Sequence, residues 1–124
     1  TADVISAATR ATEPLILGAD LRPGTNVDLV GGFTPATRET DDAAITRSLL
    51  FVGRPEPAFE CGDVLSPIES GAITADHVLG DLHDLVAGRV GRTSPDDITI
   101  FKNAGGGHLD LFTAEALLRA SAEI

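Results

Sequence analysis

The segment Val27-Asp28-Leu29-Val30-Gly31-Gly32-Phe33-Thr34-Pro35 constrains the fold more than any other part of this chain. A β-branched, apolar run ends abruptly in a glycine pair. A proline then leads into a polar stretch that holds Arg38 and Glu39. Such a run reads as a buried strand that stops at a loop whose backbone can approach a ligand closely. In an open α/β sheet, ligands lie at the carboxyl ends of the strands.

The rest of the chain fits that architecture. Val4 to Ala7, Thr25 to Val30, Leu49 to Val52 and Ile98 to Phe101 read as strands. Ala8 to Pro14 reads as a loop, Leu15 to Leu21 as a short helix or turn, and Arg22-Pro23-Gly24 as a turn. Asp41-Asp42 suits a helix start at Ala43, because acidic groups favour the positive end of the helix dipole. Arg54 to Pro57 reads as a loop and Ala58 to Cys61 as one helical turn. Thr74 has the character of an N-cap. Val78, Leu79, Leu82, Leu85 and Val86 recur at helical spacing up to Gly88. Leu109 to Ala122 reads as a final helix. Strands alternating with helices or turns give an α/β class, the second half of a Rossmann-type doubly wound, mainly parallel sheet with flanking helices.

The 124 residues make one domain at most. Five Phe and no Tyr or Trp leave an aliphatic core. Nine basic against nineteen acidic residues, a net charge of −10, argue against a nucleic-acid or anionic-membrane surface. A phosphate-bearing ligand remains compatible, since backbone amides can hold one locally. The single Cys61 forms no internal disulfide and fits a reducing, cytoplasmic setting. It reads as a small buried side chain. The chain opens as a strand already under way and contains no Met, so a piece of a longer protein is expected.

Two strand-to-loop junctions carry glycine clusters, Val30-Gly31-Gly32 and Lys102-Asn103-Ala104-Gly105-Gly106-Gly107. Each is open to two readings, a tight turn or a ligand loop. Neither matches GxGxxG or a P-loop. His77, His83 and His108 lack metal-ligand spacing, and the first two fall on different faces of a helix. Asp81 and Asp84 read as solvated helix positions and Asp96-Asp97 as a turn. No catalytic residue and no metal site is assigned.

Taken together, Ala11-Thr12-Glu13-Pro14, Arg22 to Val27, Val30 to Pro35, Arg38 to Asp42, Phe51-Val52, Gly62 to Leu65, Leu82 to Gly88, and Asp97 to Gly105 with Asp110 resemble the ornithine cyclodeaminase and mu-crystallin family. The match runs through nearly the whole chain in order. It implies an NAD(P)H-dependent protein, dimeric at full length, acting on a small imino or amino acid. It implies too that residues 1–124 are the C-terminal half of an NAD(P)-binding Rossmann domain, with the GxGxxG loop upstream. By position, Thr9 lies in a loop near the cofactor ribose and diphosphate. Val30, Gly31, Phe33 and Thr34 border the nicotinamide. Asn103, Ala104 and Gly105 close over its side. Two departures stand out. Cyclodeaminases carry their catalytic Asp where this chain has Phe33, and Asn103 replaces a usual Ser. Phe cannot transfer a proton, so the resemblance points to a reductase of cyclic imino acids such as Δ1-pyrroline-2-carboxylate. A mu-crystallin-type NADPH-dependent binder, an ornithine cyclodeaminase, and an inactive structural piece are the alternatives.

Overall fold

A computed structural model describes residues 2–122. Five parallel strands, β1 (Val4–Ala7), β2 (Asn26–Leu29), β3 (Leu49–Val52), β4 (Val78–Asp81) and β5 (Thr99–Lys102), form one sheet in the order β1-β2-β5-β3-β4. The last strand in sequence thus sits at the centre. Five helices accompany them: α1 (Asp42–Thr46), α2 (Pro55–Ala58), α3 (Gly62–Glu69), α4 (Leu82–Val86) and α5 (Gly107–Ala122).

The two-residue period of a strand assigns the faces. In register, Ile5, Val27, Ile100 and Leu50 form one row, and Ala7, Leu29, Lys102 and Val52 the next. This face packs against Ala44 and Ile45 of α1 and Val64 and Ile68 of α3, giving an aliphatic core. The opposite face carries Ser6, Asn26, Asp28, Thr99 and Phe101, and it is polar toward β1.

Local chemistry explains the helices. Asp41 caps α1 by accepting from the Ala44 amide at 2.7 Å, and the same oxygen accepts from Gly18 at 2.8 Å. Leu15 to Leu21 contains a short 3-10 turn at Gly18–Asp20, flanked by a bridge from Ile16 to Thr40. The expected strands, the α1 start and the final helix are all present, with ends shifted by one or two residues.

Two expectations are corrected. The segment from Thr74 to Gly88 is not one helix. A 3-10 turn at Ala75–His77 leads into β4, which pairs with β3, and only then does α4 begin. Asp81 and Asp84 are not merely solvated: they form a reciprocal capping box that starts α4. The apolar spacing fitted a helix because an edge strand and the following short helix happen to place Val78, Leu79, Leu82 and Leu85 at similar intervals. His77 therefore shares no helix with His83; its Nε2 lies 2.9 Å from the Ile45 carbonyl. Second, residues 55–58 form a helical turn, because Pro55 occupies its first position, where a missing N–H costs nothing. Beyond these, α3 escapes the sequence pattern, since Gly62 and the interior Pro67 both mimic breakers. Its Val64 and Ile68, one turn apart, pay for that irregularity by packing in the core.

Candidate functional site

All five strands run the same way, so the residues that follow them gather along one edge of the sheet. Thr9 follows β1, Val30 to Thr34 follow β2, and Asn103 to Gly105 follow β5. These three strands are neighbours, so the topology brings the three expected loops together.

Contact between the first two loops is intimate. The Gly32 amide donates to the Thr9 carbonyl at 3.3 Å. A Cβ on Gly31 would collide with the Thr9 backbone and with Glu39 Oε1, so only glycine fits. Gly32 has a φ of +58°, in the left-handed region, and a Cβ there would strike the Asp63 carboxylate. The third loop joins through the Asn103 amide, which donates to the Leu29 carbonyl at 2.9 Å. The Asn103 side-chain oxygen accepts from the Gly105 amide at 2.9 Å. With Gly53, Leu82, Phe101 and His108, Asn103 and Gly105 line a cavity of about 130 Å³ beside β5.

The remaining expected residues divide. Val30 (42% exposed) and Phe33 (57%) present apolar surface to solvent at this edge. Ala104 is half-buried. Thr34 is engaged within its own loop: its hydroxyl lies 2.9 Å from that of Thr37, and its carbonyl accepts from the Gly62 amide at 3.0 Å.

Beneath the loops lies a buried polar network. Lys102 projects from the core face of β5 with no exposed side-chain surface. Its ammonium donates to the Gly31 carbonyl and pairs with Asp63 Oδ2 at 3.3 Å. Asp63 Oδ1 accepts from the amides of Glu39 (2.7 Å) and Thr40 (3.0 Å) and from the Thr40 hydroxyl (3.0 Å). Glu39, fully buried, accepts at Oε1 from the Thr9 amide (2.6 Å) and the Thr9 hydroxyl (2.8 Å). Its Oε2 has no hydrogen-bond partner. One chain of contacts thus links all three loops and α3.

Sequence reading passed over Glu39, Asp63 and Lys102 because charged residues are rarely fully buried. A signal was nonetheless present. Lys102 falls in phase with Ile98 and Ile100, at a core-facing position of the strand. Cys61, as expected, is buried, and burial pushes its thiol pKa up. Among the described residues, no His, Cys, Asp and Glu side chains gather in a metal-binding group, and no helix is long and apolar enough to cross a membrane.

An open parallel sheet with its glycine-bearing loops along the carboxyl edge defines a Rossmann-like α/β fold, the class of NAD-binding domains. The chain belongs to the ornithine cyclodeaminase/mu-crystallin family, whose model matches residues 1–120. It is 53% identical over 123 residues to a Δ1-pyrroline-2-carboxylate reductase of Paracoccus denitrificans, covering 98% of this chain and 39% of that protein. A solved Δ1-pyrroline-2-carboxylate reductase of Thermococcus litoralis, in complex with NADH and L-proline, superposes with a TM-score of 0.79 at 35% identity. That match covers 82% of this chain and 32% of the other. The iminosuccinate reductase of Paracoccus denitrificans, in complex with NAD+, gives a TM-score of 0.81 at 29% identity, over 98% of this chain and 38% of the other. The chain therefore spans about two fifths of the length of these relatives.

Proposed function

We propose that this chain is the C-terminal half of the NAD(P)-binding domain of an NAD(P)H-dependent reductase of cyclic imino acids, with Δ1-pyrroline-2-carboxylate as the leading substrate. The 53% identity to a reductase of that compound, sustained along the chain, carries the reading. The carboxyl edge suits the nicotinamide end of the cofactor. It offers apolar Val30 and Phe33, polar Thr9 and Asn103, and glycine backbone at Gly31 and Gly105. When bound, the cofactor supplies the hydride. The residues of this chain hold the ring side and exclude water. Phe33 contributes no proton, which disfavours ornithine cyclodeamination by the family's Asp-dependent route.

The remainder of the protein carries the diphosphate loop, most of the substrate contacts and the surface that covers this half. Two features of the chain support such a cover. β1 is an edge strand with Val4 exposed, and α5 exposes Leu111, Phe112, Leu117 and Leu118. A cytoplasmic homodimer completes the proposal, in keeping with the family resemblance and the free thiol of Cys61.

The test is to express the full coding region and follow oxidation of NADH and NADPH by absorbance with Δ1-pyrroline-2-carboxylate, with L-ornithine assayed in parallel. Proline formation with no deamination of ornithine is the expected result. Tight dinucleotide binding without turnover of any cyclic imine would instead make it a binding protein of the mu-crystallin kind.

A further inference from the structure

Glu39 restricts what Thr9 can do. A threonine hydroxyl has one proton to give and two lone pairs to receive with. In this structure the proton goes to Glu39 Oε1 at 2.8 Å, and the same oxygen takes the Thr9 amide at 2.6 Å. One lone pair receives the Ala11 amide at 3.3 Å. What Thr9 Oγ1 retains for a ligand is a single acceptor site, and no donor. The lock is rigid. Glu39 is fully buried, its own amide is held by Asp63, and its Oε1 fills the space that Gly31 leaves by lacking a Cβ.

A dinucleotide presents two kinds of polar group. Its phosphates offer acceptors alone, whereas its ribose hydroxyls and its nicotinamide carboxamide also offer donors. A phosphate oxygen placed against Thr9 would meet a lone pair, backed by an acidic side chain one hydrogen bond away. A hydroxyl or amide N–H placed there would complete the acceptor site. Resting on the reading of this edge as a nicotinamide-cofactor site, we propose that Glu39 is a positioning residue that fixes Thr9 as a hydrogen-bond acceptor for a donor group on the nicotinamide-riboside half of the cofactor. A phosphate passing this loop is left to exposed Arg10, the next residue along.

The experiment measures NADH, ADP-ribose and ADP binding to the full-length protein by titration calorimetry, for wild type, Thr9→Val, Thr9→Ser and Glu39→Ala. ADP retains the diphosphate and lacks the nicotinamide riboside. Losing one neutral hydrogen bond predicts that Thr9→Val weakens NADH about fivefold and ADP by less than about twofold. Thr9→Ser, which keeps the hydroxyl, recovers most of the loss. A loss with ADP-ribose as well as NADH places the donor on the ribose, and a loss with NADH alone places it on the carboxamide. Either result upholds the acceptor role. Glu39→Ala frees the hydroxyl and removes the acid, so ADP binds more tightly while NADH binds less. If that variant does not fold, Thr9→Val decides with the same ligands. Equal losses of ADP and NADH in Thr9→Val, or no loss of NADH, would overturn the proposal. A wild-type protein that binds no nicotinamide dinucleotide defeats the cofactor reading itself, and that is visible before any variant is made.

Discussion

Lys102→Met should be among the most damaging single substitutions in this chain. The ammonium of Lys102 is fully buried, bonds the Gly31 carbonyl and pairs with Asp63 Oδ2 at 3.3 Å. Methionine replaces most of the alkyl stem, so packing is largely kept and the lost terms are polar. Asp63 is left with a buried carboxylate oxygen facing no cation, and the Gly31 carbonyl loses its donor. Removing one partner of a buried pair costs roughly 3–5 kcal/mol. Asp63 Oδ1 keeps its three donors, which cap the damage. We expect a loss of about 4 kcal/mol, a large part of the ~5–15 kcal/mol that stabilises a typical domain. The companion variant Lys102→Met/Asp63→Asn removes both charges. Its amide oxygen keeps the Glu39 and Thr40 donors, and its N–H₂ group takes the position of Oδ2, which faced the removed ammonium. It should recover about 2 kcal/mol relative to Lys102→Met, as expected for residues that share one network. Urea unfolding followed by far-ultraviolet circular dichroism is the assay, since the chain has no Trp or Tyr. A Lys102→Met protein within about 1 kcal/mol of wild type, or a double variant that loses the full sum of the single costs, would refute the role given to this pair.

Gly31→Ala should cost about 3 kcal/mol or more, because the added Cβ meets the Thr9 amide nitrogen at 2.5 Å and cannot relax into open space; thermal melting measures it, and a Tm unchanged from wild type would contradict the packing. The Arg38 guanidinium holds the Asp42 carboxyl below its ordinary 3.8, and the Thr93 and Ser94 amides do the same for Asp97. Both folded pKa values are depressed, so their contribution is present above the unfolded pKa and is lost as the pH falls through the folded values. Melting temperature should therefore decline on acidification below about pH 4, and less steeply in Asp97→Asn than in wild type. Burial pushes the Cys61 thiol up and keeps reagents away, so a disulfide reagent at neutral pH should label the native protein at least roughly a hundredfold more slowly than the urea-unfolded chain.

The sheet was legible where pattern and burial agree. Val27 and Leu29 alternate with polar Asn26 and Asp28, Leu49 to Val52 is apolar throughout, and both segments are bounded by turn residues and form strands. Asp41 announced α1 because a cap is local chemistry. β4 was hidden because an edge strand of four residues with Gly80 in it carries too little period-two signal to oppose a helical spacing. α3 was hidden by Pro67, whose cost is met by tertiary packing that no local window reveals. The loops of the site were readable from their glycines. The network beneath them was not, since Glu39, Asp63 and Lys102 are far apart in sequence, and Lys102 reaches Asp63 only when β5 is inserted beside β2.

That insertion has a consequence for how the molecule is made. β5 is the last in sequence of the five described strands and the middle one of their sheet, pairing with β2 on one side and β3 on the other. Until residue 102 has emerged, the other four described strands hold two separate pairs, β1-β2 and β3-β4, with no ladder between them. Their inner edges stay open for several seconds at a synthesis rate of roughly 5–20 residues per second. Joining of the two pairs and burial of the Lys102 ammonium are then one event, completed when β5 arrives between β2 and β3. Conditions that slow this step expose two unpaired parallel edges to other chains, which makes nascent-chain aggregation, more than loss of the finished fold, the hazard of weakening β5.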